Sequence, residues 1–173
     1  MNLFPRVAVA CLCVVALLSG CTGSIVVLTP ISKKLGGLDR MCVELRAKDE
    51  KLQGAVEMGA SKLIPELKDE SWFGEVAPCN EMADAPLKLI LTIEKYDRGE
   101  VTVFSRREAE IILLAELEDD TDAKIGTFRV TSNSKSSGGV KVKGVSSSAA
   151  QNLPARAWRA AAGEISDHFD LSK

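Results

Sequence analysis

The chain has 173 residues, a formal net charge of −2, 27% charged side chains and a single histidine. Near-balanced charge excludes nucleic-acid binding through bulk electrostatics, and the length is that of one domain of roughly 100–200 residues once a leader is set aside.

Arg6 gives a short positive start, residues 7–18 form an apolar run, and small Ser19 and Gly20 precede Cys21. A spanning helix needs roughly 20 apolar residues, more than this run supplies, so the pattern reads as a signal peptide. Residues 18–21, Leu-Ser-Gly-Cys, resemble the bacterial lipobox. That resemblance implies cleavage between Gly20 and Cys21, a diacylglyceryl group on the Cys21 thiol and a fatty acyl group such as palmitate on its new amine. One acyl chain anchors marginally, whereas several hold a protein on the membrane. Thr22 stands where an inner-membrane retention signal places Asp, so the resemblance favours the outer membrane, at its periplasmic face.

Five cysteines sort by fate. Cys11 and Cys13 leave with the leader, Cys21 takes lipid, and Cys42 and Cys79 remain. An even pair in an oxidising compartment argues for a disulfide. The alternative is two separately buried thiols. Two thiols and one histidine without close spacing make no metal-ligand pattern, and no metal or other cofactor is expected.

Residues 21–37, with Pro30, Lys33, Lys34 and Gly36-Gly37, read as a tether. The apolar run Ile25-Val26-Val27-Leu28 disturbs that reading: it suits an edge strand, a lipid-surface contact or a docking segment, the first being favoured. Alternation over residues 41–46 predicts a strand carrying Cys42. Leu52, Ala55, Val56, Gly59, Leu63 and Leu67 recur at helical spacing, with Asp49 as N-cap. Pro65 predicts a kink or restart near Ile64. Residues 72–76 then read as a brief strand, so a Cys42 to Cys79 bridge ties strand to strand around the helix.

Residues 87–94 give the strongest strand signal, closed by a turn at Asp97-Arg98-Gly99. Residues 105–120 suit helix or strand. A strand over about 110–117 is chosen because an acidic turn (118–122) and a second alternating piece (126–131) follow, as an antiparallel hairpin requires. Ser, Gly and Lys dominate residues 132–149, predicting a loop or hairpin extension, with Val140, Val142 and Val145 leaving room for a short strand. From Leu153, Trp158, Ala161, Ala162, Ile165 and Phe169 form one helical stripe, capped by Asn152. The expected fold is α+β, in the order β-α-β-β-β-β-α: a mainly antiparallel sheet with two amphipathic helices on one face. The expected divisions are signal peptide 1–20, lipidated cysteine and tether 21–37, and periplasmic domain 38–173.

Chemistry-bearing clusters give way to plainer readings. The acidic run Glu116, Glu118, Asp119, Asp120 and Asp122 lacks the sixth-position glycine and twelfth-position glutamate of a calcium loop, and reads as a solvated turn. His168 lies near a helix C-terminus, where its cation would favour the dipole. Glu94 with Glu100, or Glu108 with Glu110, resemble glycosidase pairs only as chance pairings among 24 acidic residues. Trp72 and Trp158 read as packing, and Lys135, Lys141 and Lys143 form no phosphate loop.

With Trp72-Phe73-Gly74-Glu75-Val76, then Ala85-Pro86-Leu87-Lys88-Leu89-Ile90-Leu91, a hairpin across residues 119–126 and Ala160-Ala161-Ala162-Gly163-Glu164-Ile165 in place, the chain resembles the small uncharacterised outer-membrane lipoproteins of Gram-negative bacteria. Similar layouts occur in periplasmic domains of the curli-secretion lipoprotein and of lipopolysaccharide-assembly lipoproteins. The resemblance implies a binding or assembly role and carries over no catalytic residue. The expected function is that of an anchored envelope component, not an enzyme, whose partners are the membrane, through lipid, and an envelope protein, with no nucleic acid. The alternatives are a tethered enzyme acting on glycan or lipid and a subunit of an oligomeric secretion complex.

Overall fold

A computed structural model of the protein describes residues 21–99, 108–135 and 153–171. Along these residues run β1 (Cys21–Thr29), β2 (Arg40–Ala47), α1 (Gln53–Glu70), β3 (Glu75–Pro78), β4 (Leu87–Asp97), β5 (Glu108–Asp119), β6 (Lys124–Lys135) and α2 (Leu153–Asp170). They build one sheet in the order β1-β6-β5-β4-β2-β3. Pairings from β1 through β4 are antiparallel, while β2 is parallel to both β4 and β3. The expected α+β class and the β-α-β-β-β-β-α order are both present, with β1 added ahead of them.

Two-residue alternation decides the faces. Ala109, Ile111, Leu113, Ala115 and Leu117 of β5 are fully buried, as are Leu87, Leu89, Leu91 and Ile93 of β4. Both helices cover this face. The α2 stripe Ala157, Trp158, Ala161, Ala162, Ile165 and Phe169 is buried throughout, and so are Ala55, Leu63 and Leu67 of α1. The helices touch: the Ser166 hydroxyl donates to the Glu70 carbonyl at 2.9 Å, and Arg159 pairs with Glu66 at 3.5 Å. Charges on the other face pair across strands, Arg129 with Glu94 at 2.8 Å, Lys88 with Glu44 at 3.2 Å, Lys95 with Glu110 and Lys124 with Glu116. Such a ladder suits the water-facing side of an antiparallel sheet.

Several expectations are corrected. The segment read as a tether is part of the domain: β1 pairs with β6 from Cys21 onward, which bears out the edge-strand reading of residues 25–28. Beyond β1, the Ser32 amide donates to the Ile125 carbonyl at 2.8 Å and Leu35 is fully buried. Gly37, at φ +94°, makes the turn that brings Leu38 back onto Leu35. Asp49 does cap, but ahead of a 3₁₀ turn (Glu50–Leu52) that leads into α1. α1 runs unbroken through Pro65 rather than restarting. Pro65 and Ser61, whose carbonyl loses its i+4 donor, both lie on the exposed side, where water serves the carbonyl.

The strand expected at 72–76 begins only at Glu75, leaving Trp72 and Phe73 stacked at 4.2 Å before it. Residues 132–135, read as loop, continue β6 with Ser132 and Ser134 fully buried. Ser132 is tolerated in the core because its hydroxyl donates to the Ala157 carbonyl of α2 at 2.8 Å. The strand choice for residues 105–120 holds from Glu108. The signal peptide, the cap at Asn152 and the valines of residues 140–145 lie outside the described residues.

Candidate functional site

The site is built where β3 ends. Pro78 closes that strand, and the chain turns away at once, with the amides of Glu81 and Met82 both donating to the Pro78 carbonyl and Met82 buried beneath. The last β3-side bond runs from the Cys79 amide to the Val43 carbonyl, at 3.1 Å. Backbone groups alternate sides along a strand, and Lys48 donates toward β4, to Ile93. Leu45, two residues beyond Val43, therefore presents its amide and carbonyl to an edge that, among the described residues, no strand pairs.

Beside that edge lies an open groove of about 460 Å³, walled by Val43 and Leu45 of β2, Val56, Ala60 and Ile64 of α1, and Cys79. Its Cys79 wall is joined by a disulfide to Cys42 of β2, the Cα atoms 4.7 Å apart. Glu44 stands at the rim, held below the usual carboxylate range chiefly by its hydrogen bond from Arg46, with Lys88 adding to it. That environment favours a fixed negative charge over a proton donor. Sequence reasoning found the two cysteines but not the groove. The available signals were Pro78, which shortens β3, and the small or apolar positions 56, 60 and 64, which adjoin the buried 55, 59 and 63 along one flank of the α1 stripe.

The other sequence candidates are dispersed. Cys21 opens β1, and Gly20 lies outside the described residues. The acidic run forms a hairpin turn in which the Asp119 carboxylate accepts from the Thr121 hydroxyl and from the Thr121 and Ala123 amides. These bonds, the Thr121 hydroxyl first, hold Asp119 at a pKa of about 2. Glu94 pairs with Arg129 and Glu108 with Lys135, so each carboxylate belongs to the cross-strand ladder.

The His168 ring packs 4.6 Å from Phe128, and burial lowers its pKa. That burial works against the helix-end cation expected from the sequence. Trp158 is wholly buried at the crossing of α1 and α2, and Lys135 pairs with Glu108. Among the described residues no cluster of three metal-ligating side chains occurs, and no helix is long and apolar enough to cross a membrane.

No family model matches the sequence, and no curated protein matches it. Solved structures do. A PelC dodecamer from Paraburkholderia phytofirmans is similar with a TM-score of 0.50 at 18% identity, over 81% of this chain and 97% of that one. A protein of family DUF330 from Xanthomonas campestris is similar with a TM-score of 0.51 at 14% identity, over 84% and 85%. A minor lipoprotein from Acinetobacter baumannii is similar with a TM-score of 0.46 at 12% identity, over 78% and 94%. Identities this low establish a shared fold and nothing finer. At that level the α+β fold expected from the sequence holds: this domain shares it with the PelC and DUF330 proteins.

Proposed function

We propose that this chain is a lipid-anchored envelope protein, held by acylated Cys21 at the periplasmic face of the outer membrane, whose domain binds a partner chain by strand addition. The observation that carries the binding role is the open β2 edge at Leu45 beside an apolar groove of about 460 Å³. Proteins blunt such edges with charge, proline or cover, and here Pro78 blunts β3 but leaves β2 unpaired on that side past Val43 among the described residues. An extended segment laid along Leu45 gains main-chain hydrogen bonds while its alternate side chains settle on Val56, Ala60 and Ile64. The single rim carboxylate, Glu44, is already paired to cations, which favours binding over the cleavage of glycan or lipid. The anchoring role is supported by the lipobox-like residues 18–21.

A second reading, a subunit of an oligomer, is supported by the opposite edge of the sheet. Val26, Val27 and Leu28 of β1 are 56%, 45% and 48% exposed, and PelC, which shares the fold, is a dodecamer. An apolar edge on one side and an open edge on the other are the two halves a head-to-tail contact between copies needs.

A photocrosslinking residue in place of Asn80, at the groove, distinguishes the readings in intact cells. Adducts to a different envelope protein support the first, and adducts whose mass is a multiple of this chain support the second. No adduct there removes both. Cys21→Ala should abolish palmitate incorporation and move the chain out of the membrane fraction; retention in the outer membrane would overturn the anchor.

A further inference from the structure

Strand β1 begins at Cys21 itself. Its Cα lies opposite Ser134, and pairing continues without a gap through Thr22 and Gly23 to Val27 opposite Phe128. Helix α2 holds the strand from the other side: a Cβ on Gly23 would come within 2.3 Å of Cγ of Glu164, so the helix rests on the backbone two residues from the cysteine. An acyl chain on Cys21 is thus joined to the sheet with no spare residues between.

The register shows what shares that end of the molecule. Asp97 of β4 lies level with Glu110, Asn133 and Thr22. α2 starts there, since the Ala157 carbonyl receives the Ser132 hydroxyl, and so does α1, whose Gly54 faces the Arg98 guanidinium. Lys51 and Arg98 are exposed at this end. Of the acids beside them, Asp49 accepts from the Lys51 amide and Asp97 from the Gly99 amide, while Glu50 is exposed. At the far end stand the hairpin turn with exposed Asp120 and Asp122 and the C-terminus of α2 with exposed Asp167 and Asp170.

We infer that the domain stands directly on the bilayer with its strands upright, the end bearing Cys21, Lys51 and Arg98 seated among anionic lipid headgroups and the turn at Asp119 about 35 Å away. The inference rests on the acylation of Cys21 proposed above. Covalent geometry sets this orientation, and it turns the exposed cations Lys51 and Arg98 toward the headgroups and Asp120, Asp122, Asp167 and Asp170 away from them.

Site-directed spin labelling of the full lipidated chain in vesicles of phosphatidylethanolamine and phosphatidylglycerol tests it. Because Cys42 and Cys79 are joined and Cys21 carries lipid, a cysteine introduced as Gln53→Cys or Asp120→Cys is the thiol available to the nitroxide. The label at 53 should be several-fold less accessible to an aqueous nickel reagent than the label at 120. A flexible Gly and Ser insertion between Cys21 and Thr22 should abolish the difference. Equal accessibility in protein that floats with the vesicles overturns the seating while leaving the anchor intact; protein that fails to float overturns acylation and the seating with it.

Discussion

Reducing the bond between Cys42 and Cys79 frees a loop spanning 37 residues, which contains all of α1 and β3. In the chain-entropy treatment closing such a loop contributes about 4 kcal/mol, set against a total of about 5–15 kcal/mol for a domain of this size. The native side of the balance is thin here. β3 meets β2 at only four register positions, Arg40 with Glu75 through Val43 with Pro78, so little else fixes its end. Urea unfolding of an exported Cys21→Ser chain, oxidised and reduced, measures the effect. The reduced form should lose about 4 kcal/mol, or on the order of 12 °C in Tm. Cys42→Ala with Cys79→Ala should lose slightly more, because Cys42 is 3% exposed and its sulfur also packs. Reduction should speed hydrogen exchange in β3 while leaving β5, at the centre of the sheet, protected. Coincident unfolding of the oxidised and reduced chains would refute both the loop argument and the assignment of β3 as the weakly held edge.

Gly59→Ala gains about 1 kcal/mol of helix propensity but puts a Cβ 2.5 Å from Leu45 and 2.9 Å from Trp158. Overpacking of about 1–3 kcal/mol outweighs the gain, so thermal unfolding should show a net loss. Ser132→Ala removes the hydroxyl bond to Ala157 and should cost about 1 kcal/mol in urea unfolding. Asp119 has a folded pKa of about 2, below the ordinary carboxylate value, so the stability it contributes is present above that ordinary value and is lost as pH falls toward 2. Asp119→Ala should flatten that acid limb, and an unchanged pH profile would remove the turn's role. Glu70 is shifted the other way, by burial first and then by Glu66, Asp167 and Asp69, so Glu70→Gln should raise stability at neutral pH and have no such effect in acid.

The sheet was legible where burial is one-sided. Alternation in β4 and β5 and the stripe of α2 are written directly in residue type, and the elements appear where those patterns stand. What the pattern hid has common physical causes. Ser132 and Ser134 look like loop residues, yet both are buried, and the Ser132 hydroxyl is satisfied there by a helix carbonyl. The polar, glycine-rich stretch after Thr29 looks like a tether because one buried side chain, Leu35, and one backbone bond from Ser32 hold it, which composition does not register. The parallel placement of β2 between β3 and β4 follows from crossover geometry, not from any local signal. The disulfide was legible by counting thiols. The groove was not, because it depends on where β3 stops relative to β2, a difference of four residues, from Val43 to Ala47, set by Pro78.

Position on the membrane and the open edges bear on one another. Leu45 is level with Leu91, Ala115 and Phe128, and Phe128 lies six residues along β6 from Ser134, the partner of Cys21. In the proposed seating, with strands upright, the groove would therefore stand about 20 Å above the end that carries Cys21. Hydrogen bonds in a sheet run across the strands, so any strand added at β2, like any added at β1, extends the sheet sideways, along the bilayer rather than away from it. A tether of even ten residues would let the domain tumble and dissolve that constraint. With Cys21 acylated as proposed, pairing from Cys21 onward would keep both edges at a fixed height and facing neighbours in the same plane, the arrangement that either kind of proposed partner, a different envelope protein or a second copy, would meet.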